Sequence, residues 1–497
     1  MQEALATVRR ELGREYGLLI GGKRVKTDRK FQSTNPSRPS EVVGVFQKAP
    51  PDMVESAVCA AETAFTTWSE TPAEERVRLL LELSRVMQRR RLEMAAWMAF
   101  EVGKSWAEAD ADVAEAIDFC EFYAREALRL SGPQEVVEYP GEENSLYYIP
   151  LGIGLVIPPW NFPLAITTGM TTASIVTGNT VILKPSSESP TIAAKLVEMI
   201  EEAGFPPGVV NFLTGSGAEV GDTLVTHPRV RFIAFTGSKE VGLRINELAS
   251  KTQPGQIWIK RAILEMGGKD AIIVDSETDL DQAAAGVVTS AFGFQGQKCS
   301  ACSRVIVHAD VYDQFLDKLK KRTEESVKLG SVEQGDVNFG PVVSQKACES
   351  ILDYIGIGKK EGRLLTGGGK VGEEGYFIEP TIIADVDRRA RIAQEEIFGP
   401  VLAVIKASNY DEALAIANGT QYGLTGAVYT DSEEKLRKAS ARFHVGNLYL
   451  NRKCTGALVG VQPFGGFNMS GTDSKAGGKD YLLLFTQAKV VSKRIQP

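Results

Sequence analysis

Apolar residues recur at helical spacing between residues 51 and 130, through Met53–Phe65, Val77–Met98 and Val113–Leu130, and predict a run of helices. Residues 135–150 alternate between apolar and polar and predict a hairpin. From residue 151 short apolar runs alternate with helical segments. Strands are expected at Gly154–Pro158, Thr180–Leu183, Val209–Leu213 and Phe232–Phe235, with helices near 164–176, 190–204 and 239–248. The alternation restarts after about residue 268, with strands at Ala271–Val274, Ser303–His308, Leu402–Ile405 and Gly426–Tyr429 and helices near 311–327, 344–361, 410–417 and 433–442. Strands separated by helices imply parallel sheets covered on both faces, here in two successive α/β units. The tail Lys489–Arg494 reads as a strand suited to pairing with another subunit.

Composition narrows the class. The 497 residues exceed one ordinary core, so two or three domains are expected. A net charge of −7 supplies no basic footprint for nucleic acid. Six irregularly spaced cysteines do not read as a secreted disulfide framework, and fit a reducing cytoplasm. Residues 151–183 carry no charge and are long enough to span a bilayer, but Pro158, Pro159, Asn161 and Pro163 interrupt them. The stretch reads as buried strand, loop, helix and strand, with no membrane span expected. The N-terminal mixture of Arg9, Arg10, Glu11, Arg14 and Glu15 is neither a signal nor a transit peptide.

Candidate chemistry centres on Cys299, in the Gly-flanked run Gly296-Gln297-Lys298-Cys299-Ser300. A thiol nucleophile needs a base to release its acyl intermediate, and Glu265 in Glu265-Met266-Gly267-Gly268 offers one. For most such pairs the reading as a buried thiol and a solvated carboxylate would win, and the flanking residues argue against it here. Two Gly turns compete for a dinucleotide: Gly215–Gly221, one residue too long for the usual fingerprint, and Phe235-Thr236-Gly237-Ser238, which follows a strand and opens a helix. Lys184, at the end of a strand and before Pro185, reads either as a group for ribose hydroxyls or as an ordinary exposed lysine. Cys302 completes a C-x-x-C with Cys299, but no second pair or His cluster accompanies it, so no metal is expected.

Six motifs occur in order: Ile157-Pro158-Pro159-Trp160-Asn161-Phe162-Pro163, Lys184-Pro185-Ser186, Phe235-Thr236-Gly237-Ser238, Glu265-Met266-Gly267-Gly268-Lys269, Gly296-Gln297-Lys298-Cys299 and Glu396-Ile397-Phe398-Gly399-Pro400. On these the chain resembles the aldehyde dehydrogenase superfamily from end to end. The resemblance implies an atypical Rossmann NAD-binding domain (1–134 and 154–267), a catalytic α/β domain (268–467) and a small β oligomerisation arm (135–153 and 468–497). It implies a homo-oligomer, a dimer or an assembly of dimers. Further residues, among them Phe443-His444-Val445-Gly446-Asn447, Asn451-Arg452-Lys453-Cys454-Thr455-Gly456-Ala457 and Pro463-Phe464-Gly465-Gly466-Phe467, resemble the branch that oxidises L-glutamate γ-semialdehyde to glutamate in proline breakdown.

The resemblance also implies roles. Cys299 is the nucleophile, Glu265 the base that activates water, and Asn161 an oxyanion donor with the Cys299 N–H. Lys184 and Glu396 meet ribose, Gly237 and Ser238 the pyrophosphate, and Phe398 with Trp160 the nicotinamide side of an NAD site. Ser187 stands where many NAD-preferring members carry Glu, so NADP is a compatible second cofactor. Ser300, Gly456 and Ala457 anchor a substrate carboxylate, Phe162 and Phe464 sandwich its chain, and Glu115 faces its ammonium. Lys298 is expected beside the site, lowering the thiol pKa or steering the carboxylate. Gly215–Gly221 then becomes a connector. Cys302 is expected to be an inert small residue, with a Cys299–Cys302 disulfide as the alternative. A dehydrogenase for another ω-semialdehyde is the rival reading of the whole.

Overall fold

The computed structural model describes residues 1–495. Two seven-stranded sheets organise the chain. The first runs in the order 261–265, 230–236, 153–157, 180–183, 210–212, 18–20, 23–25; its first five strands are parallel and the last two are antiparallel additions. The second runs 363–366, 381–384, 401–407, 302–308, 270–274, 425–429, 447–450, and only 363–366 is antiparallel. The central strands are near-continuous apolar runs, and Thr180–Leu183 is buried at every position, because helices cover both faces.

Chain order makes the crevice. After the strand Ile153–Ile157 the sheet grows outward through Thr180–Leu183 and Val210–Phe212, then returns to add Val230–Thr236 on the other side. Connections therefore leave the C-terminal ends of two adjacent strands in opposite directions, and ligands bind at such a switch point. Pro158–Asn161 follow one of these strands and Gly237-Ser238 the other.

The uncharged stretch 151–183 folds as strand, loop, buried helix Ala165–Val176 and strand. Three of its hydroxyls bond back to the helix: Thr167 donates to the Pro163 carbonyl (2.6 Å), Thr172 to Thr168 (2.7 Å) and Ser174 to Met170 (2.7 Å), while those of Thr168 and Thr171 have no partner among the described residues. Among the described residues no helix is long and apolar enough to cross a membrane.

Three local expectations are corrected. The helical pattern of Val77–Met98 is two helices, Ala73–Arg89 and Arg91–Val102, because Arg90 leaves the helical region (φ −98°, ψ 13°). No hairpin forms within 135–150; Glu142–Pro150 is one strand, with a single bridge from Gln134 to Leu146. Its partner is Thr486–Arg494 of the same chain, in nine antiparallel register pairs. The tail strand thus pairs within its own chain, and the ribbon carries exposed Val490 and Val491 outward.

Candidate active site

Cys299 lies where two cavities meet. One is lined by Glu115, Phe119, Phe162, Ser300, Gly456, Ala457 and Phe464. The other is lined by Trp160, Asn161, Lys184, Gly237, Ser238, Glu396 and Phe398. Cys299, Phe235, Thr236 and Met266 belong to both, so the thiol faces two compartments at the place where they join.

The nucleophile loop is built by constraint. The helix Leu280–Phe292 ends in a tight turn in which Phe294 (φ 49°), Gln295 (φ 56°) and Gly296 (φ 68°) all take left-handed backbone. Two of the three are not glycine, a strain that the surrounding packing must hold. At Gly296 a Cβ would come 2.4 Å from the Gly399 carbonyl oxygen. Gln297 then pins the loop: its side-chain oxygen accepts from the Val343 N–H (2.9 Å), and its carbonyl accepts from the Asn161 amide (3.1 Å). That bond occupies one of the two Asn161 donors and leaves the other without a partner among the described residues. Burial pushes the Cys299 thiol well above its ordinary pKa, and the carboxyls of Asp270, Glu396 and Glu265 add to the shift. Burial also pushes Glu396 and Glu265 up to about 7 each, so near neutrality both are partly uncharged and oppose the thiolate less.

Glu265 ends the strand Arg261–Glu265, at the edge of the first sheet. The segment 464–476 lies along that edge: Met266 donates to the Ser470 carbonyl and Phe464 pairs with Ala476. One Glu265 oxygen accepts from the Ser474 hydroxyl (2.7 Å) and the Ser474 N–H (3.2 Å); the other accepts from the Gly466 N–H (3.2 Å).

In the first cavity Glu115 is a carboxyl raised to about 8, by burial first and by neighbouring Asp112 second. Gly456 (φ 79°) and Ala457 line the same cavity. The Arg452 guanidinium donates to the carbonyls of Thr455 (3.1 Å) and Gly456 (3.2 Å). Those carbonyls share peptide planes with the N–H groups of Gly456 and Ala457, which therefore point away from Arg452. Two aligned amides on a cavity rim suit a carboxylate.

The second cavity fits a dinucleotide. Ser238 caps the helix Lys239–Ser250 by accepting from Val241, and the helix N-terminus faces the channel. Gly267 is a close approach, since a Cβ there would meet a Glu396 oxygen at 2.0 Å. Lys184 is buried, its ammonium reaches only the Pro185 carbonyl (3.4 Å) among the described residues, and burial pulls its pKa down to about 8. A buried ammonium and a half-buried carboxyl, Glu396, thus face the channel with donor and acceptor capacity to spare. Trp160 meets Phe398 edge-on (5.5 Å) to form an aromatic wall. Gly217–Gly221 is a turn of π-helix outside the channel lining.

Two expected residues fall elsewhere. Lys298 lines neither of these two cavities; its ammonium pairs with Glu108 (2.8 Å), and its charge lowers the pKa of Glu115 in the first cavity. Ser187 is exposed outside the channel, while Ser186 and Glu188 line it. The acid in the channel lining is Glu188, one residue beyond the expected place. Cys302 is buried with its thiol against the Arg304 carbonyl (3.3 Å), lines neither large cavity, and all six cysteines are free. Among the described residues no group of three or more His, Cys, Asp or Glu is placed to hold a metal.

Sequence reasoning missed the support behind the site. Lys104 and Asp112 form an ion pair (2.5 Å) with both side chains 0% exposed. Asp112 also accepts from the Ala165 N–H (2.6 Å), at the start of the buried helix. The Lys104 ammonium sits over the rings of Phe162 (4.1 Å) and Phe294 (4.8 Å). One pair thus clamps the loop carrying Asn161 to the turn preceding Cys299. Lys104→Met leaves Asp112 buried and uncompensated, and is expected to cost about 3–5 kcal/mol, measured by chemical unfolding. No motif marks these two residues; only their meeting in space does.

The chain matches the family model described as "Aldehyde dehydrogenase family" over residues 24–491. It is 58% identical over 490 residues to a 1-pyrroline-5-carboxylate dehydrogenase of Geobacillus thermodenitrificans, covering 99% of this chain and 95% of that one. A solved 1-pyrroline-5-carboxylate dehydrogenase from Thermus with bound NAD superposes with a TM-score of 0.97 at 56% identity, over 99% of this chain and 95% of that one. A mutant aldehyde dehydrogenase from Bacillus cereus superposes at 0.93 with 33% identity, over 99% of each chain. A cysteine between two cavities, a raised carboxyl facing it and an end-to-end match lead to one assignment: the chain belongs to the aldehyde dehydrogenase family.

Proposed function

We propose that the chain oxidises L-glutamate γ-semialdehyde, the open form of 1-pyrroline-5-carboxylate, to L-glutamate with NAD, in proline catabolism. The observation that carries this reading is the first cavity. It places the Cys299 thiol, the Glu115 carboxyl and the amides of Gly456 and Ala457 around one apolar space. An amino-acid semialdehyde presents an aldehyde, an ammonium and a carboxylate to those three groups.

The Cys299 sulfur attacks the aldehyde carbon and forms a carbon–sulfur bond. The remaining Asn161 donor and the Cys299 N–H hold the oxyanion. Phe162 and Phe464 flank the aliphatic chain, and Ser300 joins the carboxylate anchor. The second cavity would hold NAD, which would supply the hydride acceptor; loss of hydride from the carbon bonded to the Cys299 sulfur would leave a thioester on Cys299. Lys184, Gly237, Ser238, Glu396, Trp160 and Phe398 line that cavity. Glu265 then takes a proton from water, hydroxide adds to the thioester, and Cys299 leaves as the thiolate. The sum is aldehyde, NAD and water in; carboxylate, NADH and two protons out.

Residues 1–134 with 154–267 serve the cofactor, 268–467 carry the catalysis, and 135–153 with 468–497 form an arm that joins copies into a dimer or an assembly of dimers. Exposed Val137, Tyr139, Val490 and Val491 on that arm support this role. The six free thiols suit a reducing cytoplasm. The direct test supplies 1-pyrroline-5-carboxylate and NAD, follows NADH by absorbance and identifies the product. Stoichiometric NADH and L-glutamate support the reading; no NADH above background rejects it.

A further inference from the structure

The Glu265 carboxylate sits in a sleeve of backbone. Cβ atoms added at Gly465 and Gly471 would come 3.1 Å and 3.0 Å from its two oxygens. Of its three donors two are main-chain amides; the third is the Ser474 hydroxyl, at the shortest distance of the set. Ser474 is itself 5% exposed and borders the cavity that holds Cys299. Its hydroxyl has no second partner among the described residues, so the bond to Glu265 is the use the fold makes of it.

We propose that Ser474 is a positioning residue for Glu265: its hydroxyl clamps one carboxylate oxygen, aims the base at the Cys299 cavity and favours its proton-accepting form. The inference rests on the proposed role of Glu265 in thioester hydrolysis. A hydroxyl donates to a carboxylate far more strongly than to the neutral acid, so the clamp opposes the burial that raises Glu265. The other groups facing Glu265 are few. The Lys475 ammonium lowers its pKa, but is spent on the carbonyls of Gly446 (2.8 Å) and Gly465 (2.9 Å) and on Asp473 (3.1 Å). The Cys299 thiol and the Tyr481 phenol, both held neutral by burial, complete the surroundings.

The test compares wild type, Ser474→Ala and Ser474→Thr. Infrared titration of the carboxyl band that Glu265→Gln removes reads the ionisation of Glu265 without turnover. In Ser474→Ala its midpoint is expected about one pH unit higher, and Ser474→Thr is expected to restore it. In turnover the acid limb moves with it: the rate falls about tenfold below the wild-type midpoint and recovers at alkaline pH, while the first-turnover burst of NADH persists. An unchanged midpoint in Ser474→Ala, or a loss equal at every pH, overturns the proposal. If wild type makes no NADH at all, the functional reading fails, and the infrared midpoint still decides the role of Ser474.

Discussion

Cys299→Ala is expected to abolish NADH formation, lowering kcat/KM by on the order of 10⁵-fold or more, the scale of removing a nucleophile. The loss is chemical. The residue projects into the junction of two cavities and is in no disulfide, so alanine leaves the loop intact. That loop is held instead by Gln297, through Val343 and Asn161. Folding is therefore expected to be unchanged by thermal denaturation. Cys302→Ala is the internal contrast. Its thiol contacts the Arg304 carbonyl inside the core, and removing it is expected to leave turnover near wild type. Equal activity in Cys299→Ala and wild type would rule out covalent catalysis by this thiol.

Glu265→Gln removes only the second half of the reaction. The thioester still forms, so a burst of NADH of about one equivalent per site is expected. Turnover afterwards is expected to fall by roughly 10²–10⁴-fold, the usual contribution of a positioned base. The pH profile follows the raised pKa. Burial sets Glu265 at about 7, and the base works only when ionised. Wild-type turnover is therefore expected to decline as pH falls through about 7, and this limb is absent in Glu265→Gln. Rapid-mixing absorbance across pH reads both effects. A variant that loses the burst as well would place Glu265 in the first step instead.

The order of motifs along the chain makes most of the site legible in the sequence. Cys299, Glu265, Asn161, Lys184, Glu396 and Phe398 each sit in a run whose neighbours are constrained, and the structure gathers them into two joined cavities. What stayed illegible depends on direction and on distant partners. Ser187 and Glu188 are adjacent in a loop, and sequence does not say which of them faces the channel. Lys298 follows a Gly turn and precedes the nucleophile, yet its side chain turns toward Glu108, 190 residues earlier. Lys104, Asp112 and Ser474 carry no signature at all, because their roles arise from contacts between separate elements. The same applies to the strands Glu142–Pro150 and Thr486–Arg494: alternation revealed each strand, but not that each is the other's partner.

Substrate choice tests the central claim most directly. The cavity offers an acid at Glu115 and two amides at Gly456 and Ala457 to an amino-acid head group. Succinate semialdehyde keeps the aldehyde and a carboxylate but lacks the ammonium, and would leave a buried polar group unpaired. Such a mismatch typically discriminates by factors of about 10² and above. The measurement is kcat/KM for the two semialdehydes with NAD under one set of conditions. A preference for L-glutamate γ-semialdehyde of about a hundredfold or more is expected; equal values, or a preference for succinate semialdehyde, would contradict the reading of the cavity.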